Sequence, residues 1–199
     1  MKIIFDFDGT LVKSEWYVKQ VLGDYLTDKN VEIFNKFGFK GLLERKVLSL
    51  IELLSLLRKG RNEWLNNLDK ILAVPGIEKV LKGLIKNNIS LGLLSSNKRK
   101  NIDGFFKKEN WNYFEFIYTG MNIFGKDKVI EKMMEKHKFK KSEVIYVGDE
   151  KRDVVACKIV GIKMIGVTWG YNNKEALWGV DYLVDSPTEL LNLLLRLSQ

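Results

Sequence analysis

An α/β fold is what this chain of 199 residues predicts: a doubly wound parallel sheet, interrupted after its first strand by one inserted helical block. Three observations carry the prediction. A buried strand opens the sequence at Ile3 to Phe5, the stretch from about Ser14 to Ala73 shows helical periodicity without strand alternation, and from Pro75 onward apolar strands alternate with amphipathic helices. Such alternation implies parallel strands joined by right-handed crossovers, with helices on both faces. One strand precedes the helical block and the others follow it. The expected division is therefore a core over residues 1–13 and 75–199 and a helical domain over 14–74.

Within the block, Val18, Val21, Leu22, Tyr25 and Leu26 share one helix face. Val47, Leu50, Ile51, Leu54 and Leu57 repeat that spacing, and Leu48, Leu53 and Leu56 make this second helix apolar nearly all round, which predicts that other helices sandwich it. Pro75-Gly76 then punctuates the chain, and Ile77, Val80, Leu81, Leu84 and Ile85 form a fresh amphipathic helix. Strands read at Ile89 to Ser95, Phe116 to Tyr118, Val144 to Val147, Lys163 to Thr168 and Tyr182 to Val184. Val129, Ile130, Met133 and Met134 mark a helix face, and further helices read at Val154 to Val160 and Leu190 to Leu195.

A hydrophobic share of 46% with 29% charged residues is ordinary for a globular protein and excludes a disordered chain. Cys157, the single cysteine, excludes an intramolecular disulfide, and its neighbours Ala156, Ile159 and Val160 make it a small core residue. An acidic pair stands where a secretory signal would need its apolar region, and no stretch approaches the roughly 18 apolar residues of a membrane span. A cytoplasmic location without membrane association is the expectation. The net charge of +8 and pI near 9.4 favour anionic partners in general, but the lysines are dispersed along the chain. A nucleic-acid surface wants clustered arginines with stacking aromatics, so nucleic acid is not an expected partner.

The most informative segment is Met1-Lys2-Ile3-Ile4-Phe5-Asp6-Phe7-Asp8-Gly9-Thr10. Asp6 and Asp8 are at strand spacing, so both carboxylates leave one face while Phe7 turns to the core. Two like charges this close persist only with a cation between them or a proton on one of them. A strand end with solvated acids is the plain alternative. Gly9 permits a sharp turn and the Thr10 hydroxyl can tie it. Ligands of doubly wound sheets bind beyond the carboxyl ends of the strands, where this pair lies, and the inserted block leaves and returns near that edge as a lid.

Other strand ends supply complementary groups. Leu91 to Leu94 runs into Ser95-Ser96-Asn97, which offers a hydroxyl, an amide and backbone N–H groups entering a helix. Phe124-Gly125-Lys126 opens a helix. Val144 to Val147 ends in Gly148-Asp149-Glu150-Lys151-Arg152-Asp153, a glycine and an acid with a second acid four residues on.

Taken in order, these four stretches resemble the four motifs of the haloacid dehalogenase-like (HAD) hydrolase superfamily, and the resemblance spans the whole expected core. It departs after Lys126, where many relatives have proline and this chain has Asp127, with Lys128 close enough to compete. The resemblance implies a Rossmann-like core with a small helical cap, most like the phosphoglycolate phosphatase-like members. It further implies a Mg2+-dependent phosphatase acting on a small phosphorylated metabolite. Asp6 would be the nucleophile that forms an aspartyl-phosphate, and Asp8 the proton donor to the leaving alcohol. Mg2+ would be held by Asp6, Asp149 and Asp8, the last through its backbone oxygen. Ser95, Ser96, Asn97 and Lys126 would hold the phosphate, and Asp153, Gly9 and Thr10 would support these groups.

Alternatives are a phosphotransferase or phosphomutase of the same superfamily, or a non-catalytic anion-binding regulatory module. Dehalogenation is disfavoured because it needs no metal and those members lack an aspartate at the position of Asp8. His137, the only histidine, shares a helix face with Met133 and Met134 and reads as a buried or edge residue. Trp169-Gly170-Tyr171 is placed to border the pocket, whereas Trp16, Trp64, Trp111 and Trp178 read as packing residues. Lys13, Trp16, Arg45 and Lys46 are within reach of a substrate, although a solvated helix face explains the charges as well.

Overall fold

The computed structural model describes residues 1–14, 23, 27, 30, 42–119 and 125–199. In chain order, β1 (Lys2–Phe5) and β2 (Val12–Lys13) precede helix α1 (Leu50–Asn66). Then come β3 (Leu72–Ala73), α2 (Ile77–Lys86), β4 (Ser90–Leu94), α3 (Arg99–Glu109) and β5 (Phe116–Tyr118). The chain continues with α4 (Lys126–His137), β6 (Val144–Gly148), α5 (Lys151–Val160), β7 (Lys163–Val167), β8 (Tyr182–Val184) and α6 (Pro187–Leu197). Six strands form one sheet in the order β5-β4-β1-β6-β7-β8, with every neighbouring pair parallel.

Alternation along the central strands explains why both faces are covered. Ile3 and Phe5 point into a cluster with Val80 and Leu84 of α2, Phe105 of α3 and Leu190 and Leu194 of α6. Ile4 points the other way, to Ile130 and Met133 of α4 and Val154 and Cys157 of α5. A parallel sheet needs this two-sided burial, because its crossover helices lie on both faces. The register sets Phe5 level with Leu93 of β4 and Val147 of β6, so the carboxyl ends of three strands coincide. The chain first builds outward on one side of β1 and then on the other, and the crevice at that reversal is the natural ligand position.

The fold class predicted from sequence is the one observed, with three corrections of detail. Strand structure does enter the 14–73 stretch: β3 pairs antiparallel with β2, Val12 opposite Ala73 and Lys13 opposite Leu72. On helix α1, expected to be buried nearly all round, Leu50, Ile51 and Leu54 are 52%, 81% and 48% exposed, while Leu53 and Trp64 are buried. Trp178 is 84% exposed rather than packed; the 3-10 turn Lys174–Leu177 directs only Ala176 and Leu177 inward. Trp111 is buried, as expected. His137 packs against Phe116 and Phe139 with ring centroids at 4.7 and 5.1 Å, and its Nε2 meets the Tyr118 hydroxyl at 3.1 Å. The helix expected from Val18 to Leu26, Trp16 and Phe124 lie outside the described residues. Among the described residues no helix is long and apolar enough to cross a membrane.

Trp64 ties α1 to the core beneath the paired aspartates. Its ring lies 6.1 Å from that of Phe7 and 6.5 Å from that of Phe105, and its buried Nε1 has no hydrogen-bond partner. Trp64→Ala is expected to cost roughly 3–5 kcal/mol of unfolding free energy. Trp64→Phe should cost less, because it keeps a ring and removes a buried unpaired N–H. Denaturant unfolding of the two variants checks the order.

Candidate active site

Asp6 continues β1 by one residue, its N–H donating to Val147 O at 2.9 Å, and its side chain is buried. Lys126, the first residue of α4, delivers its amine to the same place. Nζ is 3.1 Å from Asp6 Oδ2, 2.5 Å from Asp153 Oδ1 and 3.0 Å from the Tyr146 hydroxyl. Burial pulls the amine's pKa down, but the Asp153 and Asp6 carboxylates outweigh it and the net shift is upward. Lys126 is thus a fixed buried cation. Lys128 instead lies exposed, 3.4 Å from Glu131.

Asp149 follows β6 and is fully buried. Thr10 Oγ1 donates to its Oδ1 at 2.8 Å and the Tyr171 N–H to its Oδ2 at 2.7 Å. Two glycines make room for this carboxylate: a Cβ on Gly9 would lie 2.3 Å from Asp149 Oδ2, and one on Gly170 2.2 Å from the same atom. Gly9 also has φ +79°, a conformation that side chains disfavour. Burial, reinforced by the charges of Glu150 and Asp6, pushes the Asp149 carboxyl well above the usual range. Asp153 is also pushed up by burial, with Lys126 opposing and Asp6 and Glu150 adding. The 2.5 Å contact with Lys126 decides its state as ionised, since a protonated Asp153 would leave the buried ammonium facing Asp6 alone.

Carboxylate oxygens of Asp6, Asp149 and Asp153 lie within 4.8 Å of one another. Asp153 Oδ2 is buried without a hydrogen-bond partner, and Asp6 Oδ2 is buried against the Lys126 ammonium alone. Like charges converging in a dry place, with acceptor atoms left over, fit a small divalent cation that takes oxygen ligands. The site's donor set therefore fits Mg2+.

Asp8 stands outside that trio. Its Oδ1 accepts from Ser14 Oγ at 2.8 Å and its Oδ2 from Asn97 Nδ2 at 3.0 Å. Burial raises its pKa to about 6, the Ser14 and Asn97 hydrogen bonds opposing and the charges of Asp6 and Glu150 adding. Ser95 is buried, and its Oγ accepts from the Asn97 N–H at 3.0 Å, which leaves the hydroxyl proton to donate. Ser96 Oγ accepts from Arg152 Nη2 at 3.3 Å. Asn97 is engaged on both sides of its amide, since Oδ1 also accepts from the Lys98 N–H and from Asn101 Nδ2, each at 2.8 Å.

The strand ends thus bring together Asp6, Asp149, Asp153 and Lys126, with Thr10 and Gly9 against Asp149. Asp8, Ser95 and Asn97 form an adjoining group, which Asn97 joins to Asp8. Lys13, Arg45 and Lys46 are exposed. Sequence reasoning gave no role to Tyr146, Arg152 or Ser14. For Tyr146 a signal existed: a hydroxyl in a strand otherwise made of Val144, Ile145 and Val147 needs an internal partner, and it finds Lys126. Arg152 pairs with Glu150 at 2.6 Å, and nothing in its local sequence distinguishes it from a surface base.

Known proteins share this architecture. The model of the haloacid dehalogenase-like hydrolase family matches residues 3–167. A phosphoglycolate phosphatase of Synechococcus elongatus is 30% identical, the alignment covering 98% of this chain and 97% of that one. Among solved structures, a predicted phosphatase from Clostridium acetobutylicum superposes with a TM-score of 0.80 at 23% identity, covering 98% of both chains. CbbY from Rhodobacter sphaeroides, solved in complex with phosphate, superposes at 0.74 with 17% identity, covering 95% of each chain. With a family match over most of its length and carboxylates converging at the strand ends of the expected fold, the chain belongs to the haloacid dehalogenase-like hydrolases.

Proposed function

We propose that the chain is a Mg2+-dependent phosphatase that hydrolyses a small phosphorylated metabolite, with phosphoglycolate the first candidate, through an aspartyl-phosphate on Asp6. Its class, phosphoric monoester hydrolase, follows from the family and from the phosphatases it resembles. The observation that carries the finer reading is the buried meeting of Asp6, Asp149 and Asp153 with Lys126 beside them. A purely structural cluster would gain nothing from three buried carboxylates around one ammonium.

Asp6 and Asp149 would hold the ion, together with the backbone oxygen of Asp8. When bound, Mg2+ neutralises charge on the attacking carboxylate and on the phosphoryl oxygens. In the first half-reaction an Asp6 oxygen bonds to phosphorus, the bond to the leaving oxygen breaks, and Asp8 passes its proton to that oxygen. A carboxyl held near pKa 6 keeps a share of its protons close to neutral pH, as this role requires. Asp8 then takes a proton from the water that splits the aspartyl-phosphate. Ser95, the N–H groups of its loop and Lys126 hold the phosphoryl oxygens. Asp153 keeps Lys126 charged and aimed. The stretch 14–74 is read as the cap that covers the leaving group, and the cytoplasm as the compartment of the enzyme and its metabolite.

Phosphate release from p-nitrophenyl phosphate and phosphoglycolate is expected with Mg2+ and lost on chelation. Asp6→Asn should lower kcat by about three orders of magnitude or more. An unchanged rate in that variant, or turnover indifferent to Mg2+, would contradict the reading. Mg2+ should also stabilise the fold by about 2.7 kcal/mol at about 100 times its Kd, which for a chain of this size raises Tm by about 5–10 °C. Asp149→Asn should abolish that shift. It can still fold, because its amide oxygen can face the Tyr171 N–H while its NH2 donates to the Thr10 hydroxyl.

A further inference from the structure

The loop that follows β7 runs along the site from Trp169 to Asn172. Trp169 Nε1 donates to Thr10 O at 3.1 Å, and Gly170 lies against the Asp149 carboxylate. The Tyr171 N–H donates to Asp149 Oδ2 at 2.7 Å, and Asn172 Oδ1 accepts from the Lys151 N–H at 2.9 Å. Tyr171 does more than the others, because its hydroxyl also bonds to Ser14 Oγ. Ser14 is fully buried and donates to Asp8 Oδ1 at 2.8 Å. A hydroxyl carries one proton, and Ser14 gives its proton to Asp8. While Asp8 is ionised, the Tyr171 hydroxyl is therefore the donor in its contact with Ser14, and the chain runs Tyr171 O–H to Ser14 O–H to Asp8 Oδ1.

We propose that Tyr171 is a positioning residue for Asp8, acting through Ser14, and that this hydrogen-bond chain determines how well Asp8 delivers its proton to the leaving oxygen. The inference rests on the reading of Asp8 as proton donor. Without the Tyr171 hydroxyl, Ser14 Oγ loses the hydrogen bond it accepts, and only its own bond to Asp8 is left to hold its rotamer. Tyr171 would also link the two halves of the chemistry, since its backbone N–H fixes the proposed metal ligand Asp149 while its side chain fixes the acid.

The role has a kinetic signature that loss of folding does not share. A well-stabilised phenolate leaves without a proton, whereas a basic one leaves only as the proton arrives. The experiment is kcat/KM, which isolates the leaving step, for ring-substituted phenyl phosphates from p-nitro to p-methoxy in the parent and in Tyr171→Phe. The variant keeps the ring and the N–H to Asp149. Its kcat/KM should fall by less than about threefold on the p-nitro ester and by about 10- to 100-fold on the p-methoxy ester. Ser14→Ala should reproduce the steeper dependence, and it decides the matter if Tyr171→Phe does not fold. An equal fall on every ester, or no fall on any, overturns the inference while leaving the phosphatase reading intact. A parent inactive on all esters with Mg2+ overturns both.

Discussion

Buried like charge is the constraint around which this molecule is arranged. Asp6, Asp149 and Asp153 meet in a place from which water is excluded, and Lys126 alone among the described cations reaches both Asp6 and Asp153. Burying one unpaired carboxylate costs several kcal/mol, and crowding three raises the cost further. The surroundings act to hold the carboxylates in place rather than to separate them: Thr10 and the Tyr171 N–H fix Asp149, and Gly9 and Gly170 let the backbone close round it. Such a cluster fits a cation and an anion that meet there.

The parallel sheet makes the convergence possible. Asp6, Ser95 and Asp149 come from three strands whose carboxyl ends are level, and they are supplied by segments more than 50 residues apart along the chain. Helix starts then complete the site, with Lys126 opening α4 and Asp153 in the first turn of α5. Phosphate monoesters resist unaided hydrolysis so strongly that catalysis must lower the barrier by roughly 20 kcal/mol or more. Fixed charges in a dry site, which need no reorganisation during the reaction, are the largest means available. The same rigid framework carries Asp8, the proposed proton donor, on the turn that leaves β1, two residues beyond the proposed nucleophile Asp6.

How much of this the sequence disclosed depends on the range of the interaction concerned. Asp6 and Asp149 stand where periodicity marks a strand end, so their convergence follows once the sheet is taken as parallel, whereas Lys126 was legible only through its resemblance to a family motif. The choice between Lys126 and Lys128 was beyond local pattern, because it turns on which side chain faces Asp153 across α5. The pairing of Val12 with Ala73 involves strands of two residues each, too short to show alternation. Leu50, Ile51 and Leu54 are apolar yet exposed, since composition tells what a helix could bury and not what lies beside it. Tyr171 and Ser14 are separated by 157 residues and join through one hydrogen bond, for which no periodicity exists.

The central claim is that the trio of carboxylates is a cation site shared with the reacting phosphate. Crystals grown with Mn2+ in place of Mg2+ test it directly, because the ion's anomalous signal locates it without reference to activity. The account predicts a single strong peak bonded to oxygens of Asp6 and Asp149. A peak elsewhere on the surface, or none at these carboxylates with the metal in excess, would contradict it.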